Sequence, residues 1–262
     1  MRTMAVLVTC ILTLTSCRET GHIGSLPEIP EVLDTLSDDY NGRTVPKVRK
    51  IFRKGIEYTY RAIYTDTAGA VISDNTVRIR PTGERWEHQP ERQDVVEIFF
   101  STTDEEKARV LANPINKTYP MEEYWTDYTM EGVIENAEEV WIHPIRHNQY
   151  IFTEVAPFPE IRLPPQEGDK WSGTISGLGG WGDWDGASIF SGYTNVGQRE
   201  VELPIGTLTC WAIEARATFD LGTSTAMFHF HEDLGFVKMS YRNYVGQGLV
   251  FVLQSVSTVP AH

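Results

Sequence analysis

Between Ile56 and Tyr64 the chain alternates with a period of two. Ile56, Tyr58, Tyr60, Ala62 and Tyr64 fall on one side, and Glu57, Thr59, Arg61 and Ile63 on the other. An extended strand sorts such a set onto two faces, whereas a helix scatters it around its axis. The pattern returns in the last third of the chain, in "REVELP", "GTLTCWAIEARATFD", "TAMFHFH", "GFVKMSY" and "GLVFVLQSV". Turn-forming residues separate these runs at short intervals, which predicts an antiparallel meander. "NTVRIRP", "DVVEIFF" and "KWSGTIS" read as further strands, and "EEVWIHPIRHNQYIFTEV" reads as a hairpin. One helix signal interrupts them. In "TDEEKARVL", Thr103 stands three residues before Glu106, the spacing of a capping box, and Pro114 closes the segment.

The fold class expected is therefore mostly β. It would be a single curled antiparallel sheet or open half-barrel with one or two short helices, formed by residues 51–262. The chain has 262 residues, 41% of them hydrophobic, which suits one large domain or two small ones. The proline-rich "APFPEIRLPPQEG" marks where a split would fall. No stretch repeats at a solenoid period.

The amino end reads differently. "MRTMAVLVTCILTLTSC" carries Arg2, then an apolar run from Met4 to Leu14, too short to span a bilayer but suited to the core of a signal peptide. Leu14 does not suit an ordinary secretory cleavage site, which takes small residues. Leu14-Thr15-Ser16-Cys17 instead resembles the lipobox of bacterial lipoproteins. The resemblance implies that residues 1–16 are removed and that Cys17 is acylated on its sulfur and its new amino group. Several acyl chains hold a protein stably where one does not, at about 0.8 kcal/mol per buried methylene. Residues 17–50, with three prolines and several acids, read as an extended tether or N-terminal arm, with room for a short docked helix from Glu31 to Leu36. No later segment is long and apolar enough for a transmembrane helix. Arg18 after the cysteine implies, by the same resemblance, the outer membrane, with the periplasmic or surface side left open. Once Cys10 and Cys17 are accounted for, Cys210 is the remaining thiol, so the body is expected to fold without an internal disulfide.

The formal charge of −13 disfavours nucleic acid as a partner. There is no Gly-x-Ser-x-Gly, Ser-x-x-Lys, His-Glu-x-x-His or phosphate-loop motif, and no cofactor is expected. His229 and His231 in "FHFHEDLGFVKMSY" are the weak metal candidates. Strand pairing sets them opposite Lys238 and Ser240, with Phe228 and Phe230 turned inward, and a neighbouring ammonium disfavours a cation. A zinc site needs a third ligand. His143 and His147 in "HPIRH" are the other histidines of the right type, and Pro144 keeps them from sharing a helical face. The loop "GLGGWGDWDGASIF", 177–190, holds the ligand-binding candidates. Trp181 and Trp184 offer flat rings for a sugar or a ligand mouth, and Asp183 and Asp185 offer oxygens. The competing reading has both indoles folded back as a plug.

"ELPIGTLTCWAIEA…FHFHEDLGFVKMSY" is also similar to the C-terminal pattern of the TapB-like families of exported bacterial proteins. That resemblance implies an open, curled sheet akin to the LolA and LolB lipoprotein carriers, with a concave apolar groove, and transfers no activity. The function expected is a lipid-anchored envelope protein, held to the membrane by its N-terminal lipid, that binds an apolar or glycan ligand or serves an assembly without catalysis. A hydrolase acting on envelope glycan or lipid, and a structural subunit of a surface complex, are the alternatives.

Overall fold

The computed structural model describes residues 51–260, apart from 88, 91, 177 and 178, and the strands at 32–39 and 44–49. The expected signal segment, residues 1–16, and Cys17 lie outside the described residues. Within the arm, Val32–Asp39 (β1) and Thr44–Arg49 (β2) form a two-stranded antiparallel sheet. The short helix expected at Glu31 to Leu36 is thus replaced, from Val32 onward, by a strand paired along β2.

The body is one twelve-stranded antiparallel sheet, with the chain laid down in two halves. The first half runs outward through Ile56–Thr65 (β3), Val71–Arg85 (β4), Asp94–Ser101 (β5), Tyr128–Glu135 (β6), Glu139–Ile142 (β7) and Glu160–Arg162 (β8). The second begins at the opposite edge with Lys170–Ile175 (β9). It returns through Ile189–Leu203 (β10), Gly206–Phe219 (β11), Gly222–His231 (β12), Gly235–Arg242 (β13) and Gly248–Thr258 (β14). β14 then pairs with β3, so the first and last strands of the body meet at the middle of the sheet. Strands from both sides of the proline-rich segment share this sheet.

The connection between the halves makes the sheet curl. Laid flat, twelve strands at about 4.8 Å spacing would be about 53 Å wide. The two edge strands, β8 and β9, are joined by residues 163–169 alone, and that length of chain reaches at most about 28 Å. The sheet therefore bends until its edges approach, without closing. Across the gap the backbone N–H of Phe158, just before β8, donates to the Tyr193 hydroxyl of β10 at 3.2 Å. The N–H of Gly168 donates to the Asn195 carbonyl at 2.8 Å. Trp171 of edge strand β9 stacks on Tyr193, with centroids 5.2 Å apart and planes 3° apart.

The concave face is where the alternation points. Tyr58, Tyr60, Ala62 and Tyr64 of β3 are buried on it, as are Phe228 and Phe230 of β12, Met239 and Tyr241 of β13, and Leu249, Phe251 and Leu253 of β14. The concavity is filled from within the chain. Asn148–Val155 is a 3-10 helix whose eight residues are all buried. Tyr150 lies 5.2 Å from Phe251 and 5.9 Å from Phe100, and Phe152 lies 6.0 Å from Tyr64 and 6.2 Å from Tyr241, ring to ring. This corrects the hairpin expected over "EEVWIHPIRHNQYIFTEV". Its first arm is β7, but its second is this helix. The change begins at Asn148, whose φ of 58° is left-handed, a region that asparagine tolerates. Its side-chain amide donates to the Thr126 carbonyl at 2.7 Å and accepts from the Thr126 N–H at 3.0 Å. A side chain there takes the place of a strand partner.

Among the described residues the one α-helix, Asp104–Ala112 (α1), begins at the expected capping box. Thr103 Oγ1 accepts from Glu106 N at 3.2 Å, and Glu106 Oε2 accepts from Thr103 N at 3.0 Å. Glu106 also reaches the sheet. Its carboxylate accepts from the Asp74 N–H at 2.9 Å and from the Asn75 side-chain amide at 2.6 Å. Asn75 Oδ1 in turn accepts from Gln149 Nε2 at 2.6 Å and from the Tyr150 hydroxyl at 3.2 Å. One polar chain thus links helix, sheet and interior segment, with Gln149 Oε1 left as its one buried acceptor without a partner among the described residues.

Candidate functional site

The most concentrated chemistry lies where β6, the "HPIRH" loop and the 3-10 helix meet. Glu131 stands on β6 opposite Val96 of β5 and is 1% exposed. Its Oε2 lies 3.0 Å from His143 Nδ1, and its Oε1 lies 3.1 Å from Arg146 Nε and 3.6 Å from His147 Nε2. His147 Nε2 also meets Thr129 Oγ1 at 3.0 Å. Arg146 Nη1 is 3.6 Å from Oε1 of a second carboxylate, Glu154, on the 3-10 helix. The other Glu154 oxygen is buried with no hydrogen-bond partner. The two carboxyls are driven apart in acidity. Burial alone would raise Glu131, but the close approach of His143 and His147 and the nearby positive charges outweigh it and hold the carboxyl at about 2. Burial dominates at Glu154 and raises it. A carboxylate pair split this way can keep one member ionised while the other holds a proton.

The cluster continues outward as stacked rings. The Arg146 guanidinium lies over the Trp181 ring at 5.6 Å. Trp181 stacks on Tyr119, centroids 5.5 Å apart and planes 10° apart, and Tyr119 on Tyr124 at 5.5 Å and 30°. Tyr124 is 52% exposed. Tyr119 also lines an open groove of about 540 Å³ with Leu111, Pro114, Pro120 and Met121, and with Glu122 and Glu123 on its acidic side.

The structure separates the four loop candidates. Trp184 is 1% exposed, and its indole N–H donates to the Tyr244 hydroxyl at 3.1 Å, so this ring closes one end of the core. Trp181 stays half-buried on the ledge. Asp183 accepts from the Lys117 N–H at 2.7 Å and the Thr118 hydroxyl at 2.8 Å, bonds that lower its pKa. Asp185 accepts from the Trp181 N–H. Both carboxylates thus shape the loop. Gly182, with φ of 58°, lets it pack against the 116–119 segment, where an added Cβ would come within 2.5 Å of Tyr119 N.

His229 and His231 are elsewhere. The register sets His229 opposite Lys238 and Ala212, and burial followed by the Lys238 charge lowers its pKa. His231 Nδ1 accepts from the Asp233 N–H at 3.2 Å, inside the turn that Gly235 ends at φ 74°. His143 and His147 gather on Glu131 instead. Among the described residues, no group of three or more His, Cys, Asp or Glu is placed to hold a metal ion. No helix there is long and apolar enough to cross a membrane.

Cys210 is 1% exposed, and burial pushes its thiol up to about 11. At pH 8 the thiolate fraction is then about a hundredfold below that of an ordinary cysteine. Alkylation of Cys210 by iodoacetamide should be at least about a hundredfold slower in the folded protein than in urea. Comparable rates would place the thiol in solvent.

Comparison with known proteins finds no matching protein family and no matching curated protein. Among solved structures, the chain is similar to a protein of Bacteroides fragilis described as exported and of YmcC-like fold, and to a protein of Parabacteroides distasonis described as a lipoprotein. Each is 11% identical, with a TM-score of 0.40 over 79% of this chain and 97% of the other. It is also similar to the hypothetical lipoprotein YmcC of Escherichia coli, at 9% identity and a TM-score of 0.31 over 77% of this chain and 85% of that one.

Proposed function

We propose that this chain is a lipid-anchored envelope protein that binds glycan without catalysis, and that the ledge of Tyr124, Tyr119 and Trp181 is where the sugar lies. The carrying observation is that ledge: three near-parallel rings, a groove beside them, and Arg146 fixed at one end by two carboxylates. Tyr124, the exposed end of the stack, offers its outer face to the C–H side of a sugar ring, with Tyr119 and Trp181 supporting it and fixed polar groups setting the orientation. The lipobox supports the anchor through Cys17. An apolar ligand has less to recommend it on the concave face, because Tyr150, Ile151, Phe152 and Val155 already fill that space. Titration with envelope oligosaccharides should change Trp fluorescence, and Trp181→Ala should abolish the change and weaken binding at least tenfold. A full response in Trp181→Ala, or none from any glycan in the unaltered protein, would reject the ledge. Cys17→Ala should move the protein from the detergent phase to the aqueous phase.

One observation favours the hydrolase alternative. His143 Nδ1 lies 3.0 Å from the Glu131 carboxylate, and the nearby Glu154 retains a proton more readily than an ordinary glutamate. A carboxylate-held imidazole with a nearby proton donor is the layout of general acid–base catalysis. Turnover of a glycan that vanishes in both His143→Ala and Glu154→Gln would establish it.

A further inference from the structure

Away from the ledge, where the β6–β7 and β12–β13 turns come together, the structure holds a cavity of about 390 Å³. Its walls are Ile51, Val140, Leu163, Pro164 and Phe230. Among the described residues, the charged groups that line it are Glu135 and Glu232, both acidic. At about 30 Å³ per water-sized volume, it has room for about thirteen such units, and its size falls within the range of small-molecule sites.

The two carboxylates differ in what they hold. Glu135 is 4% exposed and accepts from the backbone N–H groups of Ile51, at 3.0 and 3.2 Å, and Phe52, at 2.9 Å. It fixes the wall on which Ile51 sits. Gly235 allows that close approach, because a Cβ there would come within 2.8 Å of Ile51 Cγ2. Glu232 is exposed at the turn and accepts a long bond from the Trp211 indole N–H at 3.4 Å. Trp211 in turn stands opposite Phe230 in the β11–β12 register.

We propose that this cavity binds an aliphatic chain ending in a cation, of the class of an alkyl amine. The apolar walls take the chain, and the ammonium is held at the rim by Glu232. A fatty acid is the opposite case, since its carboxylate would meet the like charge of Glu232. The chain's formal charge of −13 favours arrival of a cation on the same ground.

Trp211 reports occupancy, because a ligand that engages Glu232 displaces or reorients the indole's acceptor. The full chain is titrated below micelle-forming concentrations with octylammonium, octanol and octanoate. Octylammonium is expected to shift Trp emission and bind at least tenfold more tightly than octanol, with no response to octanoate. The shift should disappear in Trp211→Phe. Glu232→Gln should reduce octylammonium to the affinity of octanol, and Val140→Phe should fill the cavity and abolish both. Equal response to all three probes, no response to the amine, or an amine preference that survives Glu232→Gln would each overturn the proposal. Glu232 is an exposed turn residue, so its variant keeps the test valid even if Val140→Phe does not fold. Trp181→Ala should leave amine binding unchanged, which keeps this site's outcome separate from that of the ledge.

Discussion

Glu131→Ala is expected to lower the unfolding free energy by about 3–5 kcal/mol, the cost of removing one partner from a buried charge cluster. The substitution leaves the Arg146 guanidinium facing Glu154 alone and removes the carboxylate beside His143 and His147. Urea denaturation would read it, and a loss under about 1 kcal/mol would mean that water already serves those groups. The same residue sets a pH signature. Its carboxyl sits at about 2 in the fold against an ordinary value of 4.5. The stability it contributes is therefore fully present above about pH 4.5 and is lost as the pH falls toward 2, by about 3 kcal/mol in all. Glu154 has the opposite sign. Its pKa is raised by burial, so the stability gained from keeping its proton is lost as pH rises through its folded value. Glu154→Gln should remove the decline on the alkaline side and leave the acid limb in place, whereas Glu131→Gln should remove the acid limb. If the two variants gave the same pH profile, the division of roles between the carboxyls would fail.

Phe152→Ala should cost a further 3–5 kcal/mol for a different reason. The ring is fully buried between Tyr64 and Tyr241, inside the curl of the sheet. The backbone around it is set by Asn148 and by the bond from the Thr153 hydroxyl to the Ile145 carbonyl, so the space has little freedom to collapse. Chemical denaturation should show a lower midpoint with an unchanged slope. A cost near 1 kcal/mol would show that the 3-10 helix covers the concave face loosely, and would reopen that face to an apolar ligand.

Much of the sheet was legible because its signal is local. β3, β11, β12 and β13 announce themselves by side chains alternating over eight or more residues, and α1 by Thr103 and Glu106 three apart. The interior helix was not legible. A segment buried on every side has no polar stripe, so Asn148–Val155 shows neither a period of two nor one of 3.6, and its β-branched and aromatic residues lean toward strand. The Glu131 cluster escaped for another reason. Its members span 131 to 154 and three kinds of local structure, and the fold brings them together by burying Glu131 on the concave face. The one trace in the sequence was two histidines flanking an arginine in "HPIRH", read only as spare metal ligands. The aromatic ledge was half legible. Trp181 stood out beside its glycines, but Tyr119 and Tyr124 lie some sixty residues earlier, and Trp184, its twin in the sequence, faces the core.

The pairing of β14 with β3 sets an order of events during synthesis. The strand nearest the amino end of the body keeps one bare edge until Gly248–Thr258 has been made, nearly two hundred residues later. Contacts this distant along the chain slow folding, and a nascent half-sheet presents an open template to any neighbour. A polypeptide built this way gains from being held unfolded until its last strand is ready, a requirement that passage through a membrane as an extended chain would meet.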